Sequence, residues 1–204
     1  MWNRKNRHSM KDAEFIRFRS TCGKFGVSFQ RVLFSKMLQE CWNAGHYETG
    51  GILFGKYNDD LDDANILGFS TAPNDSKRGR FSFQRGIAGL QKMLHSLWQK
   101  TDREYYLGEW HYHPFSSASA SSTDSQQMFV QANDCKLHCP EPILLIIGGN
   151  PCCDWSVEIA VYTRSRNIYP LRPLNENWRA MVAHELLDDY AENKKTGVDV
   201  AKKA

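Results

Sequence analysis

The run EPILLIIGG, residues 141 to 149, restricts the fold more than any other stretch of the chain. Its consecutive large apolar residues leave no polar face, so a strand here must be covered on both sides. WSVEIAVYT, which follows, alternates with a period of two, as a strand with one buried face does. The covering layers are supplied by amphipathic segments. SKMLQECWNAG starts at a capping-type Ser35, sets Met37, Leu38, Cys41 and Trp42 at helical spacing, and stops at Gly45. RGIAGLQKMLHSLWQK places Ile87, Leu90, Leu94, Leu97 and Trp98 on one helical face, which predicts core. EFIRFRS, TGGILFGKY and NILGFSTA read as strands, the last two joined by the acidic turn NDDLDD. A last helix is predicted around NENWRAMVAHELLDDYAEN, with Trp178, Met181, Val182, Leu186 and Tyr190 on its apolar side. The class is α/β, helices on a central sheet, with no internal repeat or long linker.

Charge and composition narrow the function. At 204 residues, 41% hydrophobic and 24% charged, the chain buries a substantial core. A net charge of +3 and a pI near 8.5 are too mild to make nucleic acid the main partner. The basic excess sits at the ends, in Arg4, Lys5, Arg7 and Lys11 and in Lys194, Lys195, Lys202 and Lys203. Solvated tails are the plain reading, and an orienting patch for an acidic partner is the alternative. No apolar run approaches the roughly 20 residues that span a bilayer, and the start lacks a signal peptide's apolar stretch, so a cytoplasmic protein is expected. Six cysteines, at 22, 41, 135, 139, 152 and 153, fit free thiols better than a disulfide framework. A second, structural zinc site from Cys135, His138, Cys139 and one of Cys152 or Cys153 is the alternative, although the spacing is not a standard finger.

Chemistry concentrates in HYHPFSSASASSTD, residues 111 to 124. The preceding EYYLGEWH is rich in strand formers, and on a strand His111 and His113 share a face. Pro114 fits the strand's end, and the small-residue loop after it is able to return Asp124 to the histidines. Ser121-x-x-Asp124 before SQQMFVQA also reads as a helix N-cap, which fixes Asp124 in the first turn with one oxygen still free. Two imidazoles and a carboxylate are zinc ligands, and three of them leave a fourth tetrahedral position open, which separates catalytic from structural zinc.

Glu48, His111-x-His113-Pro114 and Ser121-x-x-Asp124 together resemble the JAMM motif of MPN/JAB-domain metallopeptidases, and Glu48 sits in ETGGILFGKY as that family's glutamate does. The resemblance covers roughly residues 28 to 165. It implies an MPN (JAB, cytidine-deaminase-like) domain, a central mixed β-sheet flanked by helices, with residues 1–27 as an N-terminal extension and 166–204 as an added C-terminal helix and Lys-rich tail. It implies one Zn2+ held by His111, His113 and Asp124, and an isopeptidase acting on a ubiquitin-like protein conjugate. APNDSKRGRFSFQR and YYLGEWHYHP are similar to the bacterial branch of type II CBASS anti-phage systems. There a deconjugase accompanies an E1/E2-like fusion protein and reverses attachment to a cGAS-like nucleotidyltransferase. The chain departs from the family at Tyr112, where Ser or Thr is more usual, and in a Ser/Ala-rich loop that lacks a second proline.

Amide hydrolysis needs a water nucleophile and a proton carrier. Zinc lowers the pKa of water from about 15.7 toward about 7. Glu48 is the candidate to take the proton and deliver it to the leaving amine. Ser121 either donates to the oxyanion or only caps the helix. A base deaminase would need H-x-E and P-C-x-x-C, which the chain lacks, and an α/β-barrel hydrolase takes about 250 residues. Glu109 shares the histidine face and either orients a ligand or is solvated. Lys77, Arg78, Arg80, Phe81 and Phe83 either grip an extended substrate tail or form an ordinary loop. His8, His46, His95, His138 and His184 read as surface or packing residues. A non-catalytic MPN scaffold and a protease maturing a sulfur-carrier precursor are the alternative functions.

Overall fold

In a computed structural model, which describes residues 14–180 and 182, the apolar run is strand β8, Ile143–Asn150. Ile143, Leu145 and Ile147 enter the main core, together with Phe34, Met37, Leu38 and Cys41 of helix α1, Arg31–Ala44. Leu144 and Ile146 point the other way, onto Met128 and Phe129 of helix α3, Ser122–Asn133. Each of these five side chains contributes roughly 1.5–3 kcal/mol by leaving water, which fixes β8 at the middle of the molecule.

The remaining strands are β1 (Phe15–Ser20), β2 (Gly26–Gln30), β3 (Thr49–Tyr57), β4 (Asp63–Phe69), β7 (Tyr105–Pro114), β9 (Asp154–Tyr162) and β10 (Ile168–Pro173). They run in the order β1-β10-β9-β8-β7-β3-β4-β2, and the β1–β2 pair closes the sheet into a barrel. The sheet is mixed: β7–β8 and β2–β4 pair parallel, and the other pairs are antiparallel. Boundaries drawn at residues 28 and 165 fall inside this one sheet, since β1 and β10 belong to it. A two-stranded hairpin, β5 (Lys77–Arg78) with β6 (Phe83–Gln84), stands outside the barrel.

Both early helices differ from their sequence expectation. α1 begins at Arg31, a turn before Ser35, because Phe34 is part of the core; Ser35 Oγ donates to the Arg31 carbonyl at 3.3 Å instead of capping. It ends as expected at Gly45, whose φ of +61° suits a residue without a Cβ. Trp42, at helical spacing with the buried Met37, Leu38 and Cys41, is 43% exposed. Helix α2 is short, Leu90–Trp98. Asp75 accepts from the Ile87 and Ala88 amides, and Gly89 is left-handed at φ +78°, so the helix starts only after them. Ile87 is therefore 75% exposed rather than core, and Trp98 is half-exposed against Tyr105 and Arg103, while Leu90 and Leu97 are buried. Of the C-terminal helix, Trp178–Ala180 and Val182 are helical, with Trp178 and Val182 in the main core; Met181, Leu186 and Tyr190 lie outside the described residues.

Irregularity in β7 positions the site. Opposite β3 the register shifts, leaving Leu107 unpaired between Tyr106 and Gly108. A bulge of this kind re-aims side chains. Tyr106 and Glu109 thus meet the same residue, Gln131, although three apart on the strand. Gly108, at φ +146°, permits the bulge, since a Cβ there would lie 1.9 Å from the Ile143 carbonyl oxygen.

Candidate metal centre

Strand alternation carries the histidines to a common side of β7, while Trp110 and Tyr112 turn into the main core. Tyr112 donates to the Gly149 carbonyl at 3.2 Å, so its size relative to Ser or Thr is absorbed away from the site. Gly50 of β3 lies opposite His111, and a Cβ there would come within 2.3 Å of the Trp110 carbonyl. The bare backbone lets β3 run close under the imidazole.

After Pro114 the chain turns through Phe115, and Ser121 caps α3 in a capping box. The Ser121 hydroxyl accepts from the Asp124 amide at 3.1 Å and donates to Asp124 Oδ2 at 2.6 Å; the Ser121 amide donates to the same oxygen at 2.8 Å. With Oδ2 so held, Oδ1 lies 3.2 Å from His111 Nδ1. His113 turns Nδ1 toward the Ser117 carbonyl at 3.3 Å. Donor atoms of His111, His113 and Asp124 all lie within 4.8 Å of one another. Two donors at about 2.0–2.1 Å on a tetrahedral ion are separated by roughly 3.3 Å, close to the His111–Asp124 spacing, so this donor set fits zinc.

The local field fits a cation as well. Burial opposes charge on His111, yet its hydrogen bonds to the Asp124 and Glu109 carboxylates outweigh it and raise its pKa to about 9. Burial likewise opposes ionisation of Asp124, but His111 and Ser121 hold its carboxyl well below the usual range. Glu48 is half-buried just before β3, and burial pushes its pKa up against the pull of His113. Its amide donates to the Gly79 carbonyl at 2.8 Å, and Arg78 Nε donates to its carbonyl at 3.1 Å, so the hairpin holds it from both ends.

Arg78 thereby serves Glu48, and Phe83 packs edge-on to His111 at 5.6 Å, while Phe81 is 87% exposed. Glu109 is not a solvated strand residue: it is 2% exposed. Its partners Arg85 and Gln131 carried no sequence signal, since one comes from the segment after β6 and the other from α3. His46 meets the Phe115 ring at 5.1 Å, His95 and His138 are exposed, and His8 and His184 lie outside the described residues. Cys135, Cys152 and Cys153 are exposed, and buried Cys139 sits 3.4 Å from the Tyr57 hydroxyl. Among the described residues the metal-capable group is His111, His113 and Asp124; no cysteine cluster joins it.

A mixed sheet with flanking helices and a His-His-Asp centre define a JAB-type domain. Residues 30–162 match the family described as prokaryotic homologs of the JAB domain, and the chain belongs to it. It is 40% identical over 162 residues to a CD-NTase/cGAS isopeptidase of Enterobacter hormaechei subsp. hoffmannii (strain UCI 50), covering 79% of this chain and 87% of that relative. The solution structure of protein DSY2949 from Desulfitobacterium hafniense shares the fold, with a TM-score of 0.53 at 17% identity over 70% of this chain and 87% of that one. No helix among the described residues is long and apolar enough to cross a membrane.

Proposed function

We propose that the chain is a zinc-dependent isopeptidase of the MPN type that cleaves the amide bond after the C-terminal glycine of a ubiquitin-like protein. The observation that carries this reading is the convergence of His111, His113 and Asp124 donors beside the raised carboxyl of Glu48. His111, His113 and Asp124 would hold the ion, which supplies Lewis acidity toward the scissile carbonyl and lowers the pKa of water from about 15.7 toward about 7. Glu48 takes the proton from the attacking water and delivers it to the lysine amine as the C–N bond breaks. Its raised pKa brings it closer to the neutral range in which one group serves as both base and acid. Ser121 spends its single O–H on Asp124, so it stabilises the oxyanion only if that hydroxyl turns toward substrate. The β5–β6 hairpin holds the Glu48 backbone through Arg78 and Gly79, and its Lys77, Arg78 and Arg80 with exposed Phe81 would grip an extended tail there.

The relative's name supports the substrate class, a modifier attached to a cGAS-like nucleotidyltransferase. An E1/E2-like protein would form the conjugate, in the cytoplasm, as part of an anti-phage system. The test is zinc stoichiometry and cleavage of such a conjugate by wild type and Glu48→Ala. One zinc per chain in both is expected, with the variant slowed by about 10²–10⁴-fold. A folded wild type without zinc refutes the metallopeptidase reading; zinc without cleavage of any modifier conjugate points to a scaffold, and cleavage confined to a sulfur-carrier precursor reassigns the substrate.

A further inference from the structure

The hydrolytic machinery uses one face of His111, and its other face meets a buried polar cluster with no part in the reaction so far. Glu109 lies at its centre, two residues before His111 on β7 and 2% exposed. Arg85 donates to Glu109 Oε1 from Nε at 3.0 Å and from Nη2 at 2.7 Å, and Gln131 Nε2 donates to the same oxygen at 2.5 Å. Gln131 is itself held by the Tyr106 hydroxyl, which donates to its Oε1 at 2.5 Å. One oxygen of Glu109 therefore takes three donors. The other, Oε2, lies 3.5 Å from the His111 ring.

A buried carboxylate costs free energy unless it is paired and hydrogen-bonded. Arg85, 2.7 Å from Oε1, supplies the opposite charge. Ionised Glu109 has a second oxygen to spend, and the His111 ring faces that oxygen. An imidazole offers a metal one lone pair, and which nitrogen carries it depends on where the other nitrogen sends its proton.

We propose that Glu109 is a positioning residue: anchored by Arg85 and Gln131, it accepts the ring N–H of His111 and so fixes the imidazole's orientation and tautomer for metal binding at the other nitrogen. The inference rests on the reading of His111 as a metal ligand. Arg85 follows β6 directly, so the cation that anchors Glu109 also tethers the hairpin whose Phe83 packs on the same imidazole. The hairpin's base and the ligand's orientation are thereby one unit. The bulge at Leu107 makes this possible, because it sets Tyr106 and Glu109 on one side of β7.

The test uses the full chain stripped with chelator and reloaded with zinc or cobalt. In Glu109→Gln one amide oxygen serves either Arg85 or His111, not both. Because that variant strands a buried guanidinium and its fold is at risk, the pair Arg85→Met with Glu109→Leu removes the charges together, a change that buried ion pairs often tolerate. Zinc affinity by chelator competition is expected to fall about 10–100-fold in each folded variant, with altered visible bands of the cobalt-loaded protein. A purely structural role would lower the unfolding midpoint and leave both readouts as in wild type. Either variant, folded and holding zinc within about threefold of wild type with unchanged cobalt bands, overturns the inference alone. Wild type that takes up no zinc overturns this inference and the functional reading together.

Discussion

Opposite fates of the imidazole and the carboxylates set how the site responds to pH. In the metal-free chain the pKa of His111 stands at about 9 against a reference of 6.5. A raised pKa contributes stability that is complete below about 6.5 and is lost as pH climbs through about 9. Asp124, held below its reference of 3.8, works the other way: its contribution is present above that value and lost as pH falls. Zinc requires neutral imidazole, so binding expels the His111 proton and strengthens with pH over the same range. Calorimetry of chelator-stripped protein should thus show a melting temperature lower at pH 9 than at pH 6.5, and a zinc-induced gain that is larger at pH 9. A gain independent of pH would mean that His111 carries no proton in the free site. The donors themselves were legible in the sequence, because period-two geometry and a capping serine place them by local rules. Glu109 was half legible: strand parity put it beside the histidines, but nothing local announced Arg85 or Gln131.

At the scale of elements, α3 is where a cap and a ligand coincide. Ser121 satisfies the helix end and, through the same hydroxyl, holds Asp124 Oδ2 so that Oδ1 faces His111. Loss of an N-cap side chain costs about 0.5–2 kcal/mol. In urea unfolding of the metal-free protein, Ser121→Ala should therefore cost roughly 1 kcal/mol, and Ser121→Thr should recover most of it. Cleavage slowed by Ser121→Ala beyond the accompanying loss of zinc affinity would show that the hydroxyl also reaches the oxyanion. This capping box was readable from Ser121 and Asp124 alone. The start of α2 was not, since periodicity carried the helix back to Ile87, whereas Asp75 and the left-handed Gly89 decide where it begins. A carboxylate supplied from outside the helix overrides a pattern that lies within it.

On the scale of the whole molecule, the sheet closes where the sequence offered no clue. Alternation identifies β1 as a strand, whereas β10 falls in the stretch 166–204 read as a C-terminal helix and tail; their pairing joins residues far apart in the chain, and no local pattern encodes that. The closure lies far from the chemistry: with eight strands in the barrel, β1 sits across from β7, four places away in either direction. Phe18 is the pin of that seam. It pairs with Val27 of β2 and Pro173 of β10, and its ring meets Phe29 at 5.9 Å and Trp178 at 5.3 Å. Truncating such a ring costs about 3–5 kcal/mol, a large share of the roughly 5–15 kcal/mol that holds a domain folded. Phe18→Ala should therefore move the urea midpoint strongly downward. Because β7, β3 and α3 make no use of the seam to set the His-His-Asp spacing, the folded fraction should hold zinc as wild type does. A parallel fall in zinc affinity under conditions where the variant stays folded would show that barrel closure and ligand geometry are one cooperative unit.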